Sequence, residues 1–83
     1  MKHATAAALD RLEPVLVELR RAAALREKSR GVFYRGSAAF LHFHEDPAGL
    51  YADVRGADGE FDRFRVESEV ERKAFLAVVR NRC

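Results

Sequence analysis

One cysteine, no apolar run of membrane-spanning length and a formal net charge of only +2 bound this sequence before any residue is read closely. The cysteine is Cys83, the last of the 83 residues, so no disulfide can form within the chain and a reducing compartment is the natural setting. Met1-Lys2-His3-Ala4-Thr5 lacks the apolar stretch of a signal peptide, and no segment approaches the length needed to cross a bilayer. The expectation is a cytoplasmic protein with no membrane contact. The small net charge does not imply nucleic acid by itself, although arginine-rich basic residues suit phosphate or carboxylate better than lysine would. There are no internal repeats, no phosphate loop, no zinc finger and no hydrolase elbow. No serine, threonine or cysteine accompanies the histidines as a nucleophile. The expectation is therefore a non-enzyme that calls for no cofactor.

What is there is a sheet. Eighty-three residues make one domain, able to bury about 60–65% of its unfolded surface. Between Gly31 and Val66 apolar residues alternate with polar ones, and each break falls on turn chemistry. Strands are predicted over 32–35, 38–44, 50–55 and 60–66. Gly36-Ser37 suits a two-residue type II′ turn, Pro47 and Gly49 bracket the second turn, and Gly59 closes the third. With loops of two, four and three residues, all four strands agree on one apolar face containing Val32, Tyr34, Ala39, Leu41, Phe43, Leu50, Ala52, Val54, Phe64 and Val66. Asp62 alone is out of place. A three-residue reading of Pro47-Ala48-Gly49 would instead pair Phe43 with Asp53 and bury both strand histidines, since one residue of slip exchanges the faces.

Helices flank the sheet. Leu9, Leu12, Leu16 and Leu19 recur at spacings of three and four, which predicts an amphipathic helix over 4–25. Pro14 lies on its polar side and predicts a kink facing solvent, or alternatively the first residue of a separate helix. Ser68-Glu69-Val70-Glu71 has capping-box spacing and opens a helix over 69–81. The fold class is α+β: a two-layer sandwich, with a four-stranded antiparallel meander carrying an N-terminal and a C-terminal helix on one face.

Gly31-Val32-Phe33-Tyr34-Arg35, together with Ala39 to Leu50, resembles small uncharacterised bacterial α+β proteins of this size over the central third of the chain. More distantly, the helix, meander, helix plan is similar to the YjbR family, whose usual members are longer. That resemblance implies the α+β architecture and a nucleic-acid-binding surface, with no catalytic motif to carry over.

The uncovered face is where function is expected. It holds Phe33, Phe40, Phe61, Arg35 and Arg55, then a row of His42, Asp53 and Arg63, then a row of His44, Tyr51 and Arg65. Candidate ligand-binding residues are Phe40, His42, His44, Tyr51, Asp53, Arg55, Arg63 and Arg65. Exposed aromatics suit a homo-oligomer contact, and the arginines suit a small anionic ligand or partner protein. These two uses make the leading reading a binding or interaction module. Rings beside cations also suit stacked bases of single-stranded nucleic acid. His42 and His44, about 6–7 Å apart along one strand, with Asp53 opposite, offer a His, His, carboxylate metal site. Arg63 would compete for that carboxylate.

Overall fold

The computed structural model describes all 83 residues. Their order is β1 (Lys2–His3), α1 (Ala6–Arg11), α2 (Glu13–Arg20), β2 (Arg26–Ser29), β3 (Val32–Arg35), β4 (Ala38–Asp46), β5 (Gly49–Arg55), β6 (Phe61–Arg65) and α3 (Glu69–Arg82). The fold is α+β with an antiparallel sheet, but that sheet has six strands where four were expected. The path runs β2-β3-β4-β5-β6, and β1 pairs with β4. Strand β4 is long enough to serve two neighbours on one side: β3 pairs with Ala38 to Leu41, and β1 with His44 and Glu45.

The expected helix over 4–25 is two short helices, 6–11 and 13–20, followed by a turn that leads into a strand. Thr5 caps α1 by accepting the Ala8 N–H, and the turn at Leu12 (φ −92°, ψ 0°) separates α1 from α2. Pro14 occupies the opening of α2, where an amide has no helical partner to lose. It faces solvent, and the leucine stripe stays in phase across the break, with Leu12, Leu16 and Leu19 all buried. Helix α2 stops at Arg20, and Arg26–Ser29 becomes an edge strand. Glu27 anchors that strand by accepting from the Arg20 guanidinium (2.6 and 3.1 Å) and from the Gly31 N–H (2.9 Å). Gly31 makes the return into β3 with φ +79°, a conformation suited to glycine.

One layer of core joins helices and sheet. Leu12, Leu16, Leu19 and Phe75 pack with Leu41, Phe43, Ala52 and Val54 in a single cluster. The Phe75 ring meets Phe43 edge-on at 6.0 Å. Helix α3 opens on the expected capping box, with Ser68 and Glu71 each bonding the other's backbone N–H. Asp62, the polar residue out of pattern, is paired with Arg82 near the end of α3 at 3.0 Å. No helix is long and apolar enough to cross a membrane.

The first hairpin departs from expectation. Gly36 has positive φ and Ser37 does not, the type II′ pattern, and Arg35 faces Ala38 and Tyr34 faces Ala39 as expected. Phe33, however, faces Leu41 rather than Phe40. Phe40 is the extra residue of a β-bulge, and the one-residue shift turns Phe33 into the core, where it is 1% exposed. Val32 and Tyr34, expected on the apolar face, are only half-buried.

Candidate functional site

The second and third hairpins keep the register that the alternating pattern favours. His42 faces Asp53 and His44 faces Tyr51 across β4 and β5; Asp53 faces Arg63 and Tyr51 faces Arg65 across β5 and β6. The three-residue turn that would have buried both histidines against the helices is not adopted, because Asp46 pairs with Gly49. His42, His44 and Asp53 therefore share the sheet face that no helix covers.

They converge there. Ligand-capable atoms of the three residues all lie within 4.8 Å of one another. Asp53 Oδ2 is 3.0 Å from His44 Nε2 and 3.5 Å from His42 Nε2. The same carboxylate accepts two hydrogen bonds from Arg63, Nε to Oδ1 at 2.8 Å and Nη2 to Oδ2 at 2.9 Å. Those bonds hold the Asp53 carboxyl below its usual range against the opposing effect of burial. His44 is only 9% exposed, and neither of its ring nitrogens has a hydrogen-bond partner. The nearby Asp53 oxygen is close enough but poorly aligned. Burial, then the neighbouring His44, pushes His42 below the ordinary imidazole value, despite a partial counter-effect from Asp53. This favours the neutral ring, the form that binds metals.

The third histidine also belongs to this cluster, and neither periodicity nor motif pointed to it. Strand β1 places His3 opposite His44, with the two rings stacked at 5.2 Å and His42 at 6.1 Å. On the other side, the Phe61 ring meets His42 edge-on at 5.1 Å, and the Arg55 guanidinium lies 4.4 Å above Phe61.

The remaining expected site residues are arranged differently. Phe40 is buried, with the Arg35 guanidinium 5.2 Å from its ring. Phe61 is left as the exposed phenylalanine of the face. Arg55 donates to the carbonyls of Ala39 and Gly59, and Arg65 to the Ala48 carbonyl and the Glu71 carboxylate. Tyr51 is half-buried between His44 and Arg65. Arg55, Arg63 and Arg65 are thus each engaged within the fold. Compared with protein families, curated proteins and solved structures, the chain matches none of them.

Proposed function

We propose that the protein is a non-enzymatic binding module in a reducing, cytoplasmic setting, and that its open sheet face takes a divalent transition-metal ion on His42, His44 and Asp53. The observation that carries this reading is His44, a buried imidazole with two unpartnered nitrogens, inside a cluster of three ligand-type groups. A buried polar group without a partner costs about 1–3 kcal/mol, and a metal–nitrogen bond would remove that penalty at one of the two nitrogens. Two imidazoles and a carboxylate suit zinc, cobalt or iron(II), and three protein ligands leave a fourth position free. To bind metal, Asp53 would release the Arg63 Nη2 bond at Oδ2 and keep the Nε bond at Oδ1, which would fix the carboxylate's orientation.

The other uses of this face have less support. Burial of Phe33 and Phe40 removes most of the aromatic surface on which a dimer contact or stacked bases would rest. The internal bonds of Arg55, Arg63 and Arg65 leave their guanidinium groups less available to an anionic ligand. The test is thermal unfolding of chelator-treated protein across a zinc titration. A ligand that binds only the native state raises the midpoint, so we expect a rise in the wild type and none in His42→Ala/His44→Ala. An unchanged wild-type midpoint at saturating zinc would remove the metal reading.

A further inference from the structure

Strand β1 has little of its own to hold it. It is two residues long and both are exposed. Its attachments are a two-pair ladder with β4, Lys2 opposite Glu45 and His3 opposite His44, and, just beyond it, the Ala4 N–H to Phe43 carbonyl bond at 3.2 Å and the Thr5 N–H to Glu45 carboxylate bond at 2.5 Å. Yet this short strand brings the third of the chain's three histidines to the other two.

Building on the metal reading above, we infer that His3 is the fourth ligand and that the ion clasps the N-terminal strand to the sheet. The ring centres support it. Imidazoles on one tetrahedral ion, with metal–nitrogen distances of about 2.0–2.1 Å, sit roughly 5 Å apart. Here His42 and His44 are 4.8 Å apart, His3 and His44 5.2 Å, and His3 and His42 6.1 Å. His44, between the other two, is the ring whose unpartnered nitrogens are buried. His3 lies nearly parallel to His44, at 27°, so its nitrogen must swing toward the shared position. As an exposed side chain it is free to do so on a fast timescale. Asp53 closes the set from β5, so the four ligands come from three strands, and β1 is the one held least by other bonds.

Loading the ion should therefore order the N-terminus. The test compares the wild type, His3→Ala and His42→Ala in titrations with zinc and with cobalt(II). Nickel and copper are avoided, because His3 and adjacent backbone nitrogens could hold those ions in a square plane without the sheet. Even groups that merely orient ligands are worth about 10–100-fold in affinity, so His3→Ala should weaken zinc binding at least tenfold. It should also alter the cobalt visible spectrum. Hydrogen exchange at the Ala4 amide, which a merely structural His3 would leave insensitive to metal, should slow on zinc addition in the wild type but not in His3→Ala. If His3→Ala keeps wild-type affinity and the Ala4 response while His42→Ala loses binding, His3 is no ligand and the three-residue site stands. If the wild type itself binds neither ion, the metal reading and this inference fall together.

Discussion

His44 Nε2 and Asp53 Oδ2 stand 3.0 Å apart on neighbouring strands without the alignment of a hydrogen bond. The carboxylate's bonding is directed at Arg63 instead. Metal-free, the pair is therefore an energetic liability on a face otherwise well bonded, and this makes a change at His44 informative.

His44→Leu should stabilise the metal-free protein. The unsatisfied imidazole costs about 1–3 kcal/mol, and an apolar replacement of similar volume costs less than about 1.5 kcal/mol in misfit. The expected net gain is on the order of 1 kcal/mol, seen as a higher urea midpoint without a change in slope. The same variant should lose its response to zinc. A loss of several kcal/mol, as for a core deletion, would mean that the ring has a stabilising partner after all.

A second prediction concerns acid. Glu67 lies between the N-terminal helices and the sheet: Arg11 pairs with it, and it accepts the Leu50 N–H at 3.1 Å. Arg11 first, then the Leu50 N–H and Arg65, hold its carboxyl below the ordinary glutamate value of 4.5, against burial. A folded-state pKa below the unfolded one gives stability that is present above pH 4.5 and lost as pH falls through the folded value. Glu67→Gln keeps an acceptor for Leu50 but cannot titrate. Its urea stability should be lower than wild type at neutral pH and should fall less between about pH 5 and 3. Parallel acid limbs for the two proteins would show that Glu67 contributes nothing to the pH dependence.

The rows that build the candidate site were legible because the alternation on β4, β5 and β6 leaves one register in which the helix-facing side chains, Asp62 apart, are apolar. His42 opposite Asp53 and Asp53 opposite Arg63 follow from that constraint. The bulge at Phe40 was not legible: phenylalanine reads as apolar on either face, so the pattern cannot tell a paired Phe33 and Phe40 from a bulged one. Strand β2, Arg26-Glu27-Lys28-Ser29, has no apolar partner to alternate with because it is an edge that buries almost nothing. His3 was missed for a related reason. A two-residue strand has no period, and only the excess length of β4 beyond β3 creates a place for it.

Gly31 tests how the helical layer sits on this sheet. It is buried at the turn into β3 with φ +79°, and a Cβ there would come within 2.7 Å of Leu9 Cδ2 and 3.6 Å of Phe43 Cδ2. Gly31→Ala therefore carries two costs: roughly 1–2 kcal/mol for the left-handed backbone and about 1–3 kcal/mol for overpacking against α1. Gly36 has a similar backbone, φ +62°, with nothing within 4 Å of the added carbon, so Gly36→Ala bears the first cost alone. The difference between the two variants in urea unfolding isolates the steric part. That part should vanish in a Leu9→Ala background, where the contacting methyl is gone, so Leu9→Ala and Gly31→Ala should be less than additive in their destabilisation. Strict additivity would place Leu9 elsewhere, and with it the seat of α1 on the sheet.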